Sequence, residues 1–180
     1  MNRSVRKRSE SPEVAAAQRG MKRHSALIPL SRDHHDGLVQ AVRLRRAAAD
    51  GDASAPLAAA REFVEFFRNE ERIHLRDEEE ELFPLFLRHV QSQPAPLREA
   101  RVQHVQLEGF VRKLDIAVAA GIVDRETLDT AAELLDAHIR LEERQLFPLI
   151  EELVPDDELR RLELASRDAT CAARHPPLTS

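Results

Sequence analysis

The pattern H-x-R-x-E-E-x-x-L-F-P-L occurs twice in this chain. It reads His74-Leu-Arg-Asp-Glu78-Glu79-Glu80-Glu81-Leu82-Phe83-Pro84-Leu85 and, 64 residues later, His138-Ile-Arg-Leu-Glu142-Glu143-Arg144-Gln145-Leu146-Phe147-Pro148-Leu149. On an α-helix the fourth residue onward returns to the same face, so each His-x-x-x-Glu pair aims an imidazole and a carboxylate at one spot. A single such pair reads as a solvated i,i+4 contact, and the run Asp77 to Glu81 alone as a charged surface. The recurrence, with eight identities in twelve positions and apolar residues flanking each His, turns both copies inward. Burying uncompensated carboxylates costs several kcal/mol, so an inward Glu78 and Glu142 require a cation or a proton.

The spacing around these segments predicts helices and nothing else. Leu30, Leu38, Val42 and Leu44 mark a first helix from Leu27 to Ala49, with Ser31 or Asp33 able to cap it and Asp50-Gly51-Asp52 as its stop. Pro56 opens a second helix through about His89. A third runs from about Pro96 to Ala120 on a stripe of Val102, Leu107, Val111, Leu114 and Val118, with Gly121 as its C-terminal stop. A fourth starts near Asp124, a capping residue, and continues to about Val154. A short fifth helix follows Pro155. Pro84 and Pro148 each remove a helical hydrogen bond, so a kink or an end is expected within a turn of them. Four long helices with short connections give an all-α, up-down-up-down antiparallel four-helix bundle. The expected organisation is a disordered basic tail over residues 1–24, the metal-binding bundle over 25–155, and a short helix with a loose tail over 156–180.

Composition narrows the function. A net charge of −5 argues against a nucleic-acid partner, because phosphate binding usually needs a basic face. No apolar run approaches the roughly 20 residues that span a bilayer, and no apolar segment follows the basic start, so neither a membrane partner nor export is expected. One cysteine, Cys171, fits a reducing, cytoplasmic setting and leaves nitrogen and oxygen as the only metal donors. No tyrosine is present, which excludes a tyrosyl-radical mechanism.

The repeat extends to the other two helices. Aligning His35 with His104 pairs Leu38 with Leu107 and Val42 with Val111, so both helices present His-x-x-Leu-x-x-x-Val. On that pattern His35, rather than its neighbour His34, is expected to face inward with His74, Glu78, His104, His138 and Glu142. Four imidazoles and two carboxylates exceed what one metal takes and suit two metals with bridging carboxylates.

These residues resemble the hemerythrin-like, or HHE cation-binding, family. The resemblance rests on Arg32-Asp33-His34-His35-Asp-Gly-Leu38, the two HxxxEExxLFP segments, and His104 with Leu107, and it organises about residues 27 to 155. It implies a non-haem centre of two iron ions, oxo- or hydroxo-bridged, held by His35 or His34 with His74, Glu78, His104, His138 and Glu142, and with Glu78 as a bridge. It also implies a small oxidant or diatomic gas as partner, in oxygen, iron or redox sensing or in protection against oxidative and nitrosative stress. A di-iron oxidase or peroxide-consuming enzyme, and a structural bundle with a degenerate site, are the alternatives; oligomeric state is left open. The chain departs from the oxygen-carrying members in two ways. Its third helix has His104-Val-Gln-Leu-Glu108 where they carry a second His, and its fourth-helix carboxylate follows His138 by four residues rather than five. A ligand set richer in carboxylate favours ferric iron, hence redox turnover or sensing over reversible oxygen carriage. Glu108 is open as a ligand, as an outer acceptor or as an exposed partner of Arg112. Glu79 and Glu143 read as outer or exposed groups.

Overall fold

The computed structural model describes residues 23–162. Four long helices pack as a ring in which each touches its sequence neighbours and α1 closes against α4: α1 (Ile28–Ala49), α2 (from Ala55 to Leu87), α3 (Ala95–Ala120) and α4 (from Arg125 to Leu153). No strand occurs among the described residues, and no described helix is long and apolar enough to cross a membrane. A fifth helix, α5, starts at residue 156 and is described to 162. Cys171 and His175 lie outside the described residues, as do residues 1–22 of the basic tail. Arg23 and His24, the last two residues assigned to that tail, are held against the bundle: Arg23 bonds Glu143 and Glu151, and the His24 backbone N–H donates to Glu151.

Local chemistry sets the helix ends. Asp124 accepts from the backbone N–H groups of Glu126 and Thr127, so α4 begins where a capping side chain satisfies its free donors. Gly121 takes φ 72°, the left-handed turn that ends α3 at little cost without a Cβ. The α1 start is different from the expectation. Leu27 precedes the first turn without a side-chain cap, Pro29 fills an early position, and Ser31 is already inside the helix, where its hydroxyl donates to Glu143. At the other end the Arg125 guanidinium gathers the carbonyls of Ala47, Ala48, Asp50 and Asp52, tying the end of α1 to the start of α4.

The helices carrying the repeat are not uniform. In α2, π-helical turns at Phe67–Glu71 and Glu78–Leu82 interrupt the α geometry, and in α4 one does so at Glu142–Leu146. The turns at Glu78 and Glu142 each end in a bond five residues back, from Phe83 N–H to the Glu78 carbonyl and from Phe147 N–H to the Glu142 carbonyl. Each lies directly ahead of a proline. The wider turn relieves the stretch where a proline ring would press on the preceding turn, so α4 runs past Pro148 to Leu153, while α2 ends at Leu87, within a turn of Pro84.

Two apolar cores stack along the bundle. One holds Phe63, Phe67, Leu44, Leu114, Leu128 and Leu135; the other holds Leu30, Phe83, Phe86, Leu97, Phe147 and Ile150. Between them lies a belt of buried polar side chains.

Candidate metal centre

The belt contains His34, His74, Glu78, His104, His138 and Glu142, all at most 5% exposed. Their donor atoms form two overlapping sets, each within 4.8 Å: His34, His74, Glu78 and Glu142, and Glu78, His104, His138 and Glu142. Both carboxylates belong to both sets. Glu78 places Oε1 3.4 Å from His74 Nε2 and Oε2 3.4 Å from His104 Nε2. Glu142 places Oε2 3.0 Å from His34 Nε2 and 3.4 Å from His138 Nε2, with Oε1 3.8 Å from His104 Nε2. Four imidazoles thus surround two carboxylates that span the space between them.

The first-helix histidine is His34, and the expectation of His35 is corrected. His35 is exposed, whereas His34 is 3% exposed and joins the cluster. Adjacent helical residues point about 100° apart, so only one can face the belt. Matching large apolar residues selected the wrong register, since Val42 is 43% exposed and on the third helix Val102 is 55% exposed. The buried stripe of α1 is Leu27, Leu30, His34, Gly37, Ala41 and Leu44, which superposes in spacing on Leu97, Ala100, His104, Leu107, Val111 and Leu114 of α3. Small Gly37 and Ala41 hid that stripe. A Cβ on Gly37 would meet Ile139 Cδ1 at 2.9 Å, which shows how closely α1 approaches α4.

The outer nitrogens are held in a matching two-fold pattern. His34 Nδ1 lies 2.7 Å from Glu143 Oε1, and its counterpart His104 Nδ1 lies 3.0 Å from Glu79 Oε1. His138 Nδ1 lies 3.2 Å from Gln103 Oε1, whereas its counterpart His74 Nδ1 faces Asp33 Oδ2 at 3.5 Å, an ion-pair distance without a formed hydrogen bond. An acceptor at Nδ1 keeps the proton there and leaves Nε2 as the inward donor. Arg23 and Ser31 bind Glu143, while Arg101 binds Glu79 at 3.0 Å. Glu79 and Glu143 are therefore orienting groups. Phe147 stacks on His34 and Phe83 on His104, fixing the ring planes. Glu108 is exposed beside Arg112 at 3.7 Å and takes no part. His24 pairs with Asp156, and His89 with Glu158.

Apart from the bond between His34 Nε2 and Glu142 Oε2, the inner atoms have no comparable partners. His74 Nε2, His104 Nε2, His138 Nε2, both oxygens of Glu78 and Oε1 of Glu142 are buried without a hydrogen bond. Buried polar atoms are rarely left so, and six converging on one space could serve as donors to a cation. The proton affinities show the same crowding. Burial opposes the His34 imidazolium, but Glu142 and Glu143 outweigh it and hold it up to about 10. Burial likewise opposes His104, which Glu142, Glu78 and Glu79 raise to about 12. His138 is pushed down to about 3, by burial and then by the neighbouring histidines against the pull of Glu142. Burial, then repulsion from Glu142, raises Glu78. The raised His34 and His104 set positive charge against the buried carboxylates.

Fold and site together define a helical-bundle protein with an all-nitrogen-and-oxygen metal centre at mid-height. The chain belongs to the hemerythrin HHE cation-binding domain family, whose model matches residues 26–150. No curated protein and no solved structure matched the chain.

Proposed function

We propose that this is a non-haem di-iron protein that senses an oxidant or diatomic gas, or guards the cytoplasm against oxidative and nitrosative stress. The observation that carries the reading is the sharing of Glu78 and Glu142 by both donor sets. Each donor set brings two imidazole nitrogens to the two shared carboxylates, so the residues present would hold two ions side by side. Bound iron would supply one-electron redox chemistry and a place for a small ligand. The chain orients its imidazoles through Glu143, Glu79, Gln103 and Asp33, and excludes bulk water with the two apolar cores above and below.

Purified protein from iron-replete cells is expected to carry about two irons per chain. One iron per chain, or a filled zinc complement in its place, overturns the reading. His34→Ala is expected to lose metal at the position it shares with His74, whereas His35→Ala keeps the wild-type complement. Metal analysis of both variants decides this, and a loss confined to His35→Ala would restore the other register.

A further inference from the structure

The two outer glutamates do the same work but are held differently. Glu79 has Oε1 3.0 Å from His104 Nδ1 and Oε2 3.0 Å from Arg101 Nε. Glu143 has Oε1 2.7 Å from His34 Nδ1 and Oε2 2.6 Å from Arg23 Nη2. Arg101 lies three residues before its histidine, inside α3. The residue three before His34 is Ser31, which brings only a hydroxyl to Glu143, and the guanidinium comes instead from Arg23, ahead of α1. The repeat is altered a second time to receive it. Glu151, whose counterpart 64 residues earlier is Leu87, accepts from Arg23 Nη1 at 3.2 Å and from the His24 backbone N–H at 2.7 Å. Arg23 also donates to the Glu143 carbonyl at 3.0 Å, and its guanidinium lies 5.2 Å from the centre of the Phe147 ring that stacks on His34.

We propose that Arg23 is a positioning residue for the His34 side of the centre, so that the segment ahead of α1 sets how tightly one of the two metal positions holds iron. The proposal rests on the di-iron reading above. Arg23 reaches His34 by two routes: through Glu143, which fixes the Nδ1 side of the imidazole, and through Phe147, which fixes the plane of its ring. Its side chain is 16% exposed against 47% for Arg101, so water and salt screen the Arg23 pair less than its counterpart. Without Arg23, only the Ser31 hydroxyl would hold Glu143 beside His34, and the carboxylate could leave Nδ1 for water. The His104 side draws its arginine from the same helix as its histidine and so does not depend on that segment.

The test follows release of iron to a graded series of chelator from wild type, Arg23→Ala and Arg23→Lys, each shown by circular dichroism to be helical. Arg23→Ala is expected to hold one iron about tenfold more weakly than wild type and the other unchanged, the lower end of what an outer partner contributes to a metal site. Arg23→Lys keeps a cation beside Glu143 and is expected to recover most of the difference. One-site chains assign the position. Arg23→Ala is expected to weaken the iron left in His138→Ala, which keeps the set around His34, and to leave that in His74→Ala untouched. No shift in either iron, an equal shift in both, or a shift in the His74→Ala chain overturns the role of Arg23 and leaves the centre standing. Wild-type protein that holds no iron overturns both.

Discussion

On the proposed di-iron reading, a chain carrying His74→Ala and His138→Ala together is expected to retain less than about one-tenth of the wild-type iron, because each substitution removes an imidazole from a different one of the two donor sets. Loss of a mere outer partner weakens a metal site about 10–100-fold, and loss of a ligand does more. The single variants give the finer result. His74→Ala leaves the set of Glu78, His104, His138 and Glu142 intact, and His138→Ala leaves the set around His34, so each is expected to keep about half the iron. Metal analysis on protein shown by circular dichroism to be helical reads the outcome directly. A double variant with full iron would mean that the repeat does not hold the metal.

The second large effect is on stability and its response to acid. At pH 7.5, metal present several hundredfold above its Kd adds about 3–4 kcal/mol, and a midpoint roughly 10 °C above that of the metal-free protein is expected. In the metal-free protein, His34 and His104 have folded values of about 10 and about 12. Both lie above the unfolded value of about 6.5, so their contribution is complete below pH ~6.5 and disappears as pH rises through the folded values. His138, at about 3, works the other way: its contribution is present above pH ~6.5 and is lost as pH falls. From pH 7.5 to 5.5 each group shifts stability by on the order of 1 kcal/mol, two upward and one downward. The metal-free protein therefore gains on the order of 1 kcal/mol on mild acidification, and the raised His74 adds to the gain. The loaded protein moves oppositely, since all four imidazoles must stay deprotonated to bind. Thermal unfolding at both pH values, with and without iron, should show the gap closing toward pH 5.5. A gap that stays constant would mean that these histidines do not bind the metal.

Much of this was legible from the chain because the chemistry repeats. The spacing of His74 to Glu78 and of His138 to Glu142 survives the π-helical turns, since each turn begins at the glutamate and not before it. The bundle followed from helix spacing, and Asp124 and Gly121 marked their helix ends as expected. The choice between His34 and His35 failed because identity of large residues was weighed above the three-four rhythm of buried positions, which Gly37 and Ala41 also satisfy. Arg23 was counted with the basic tail; that it reaches Glu143, 120 residues away, is tertiary information that no local pattern contains.

The exchange of outer acceptors also bears on how the protein assembles. His34, in the first helical pair, relies on Glu143 in the second, and His104, in the second, relies on Glu79 in the first. An isolated helical hairpin would leave that imidazole proton without its acceptor and would hold only one of the two shared carboxylates. Joining of the hairpins is thus what brings both acceptors and both carboxylates into the belt. The two hairpins are complementary halves, each lending the other one acceptor and one carboxylate, and Gly37 and Glu71 stand where the second half has Leu107 and Leu135.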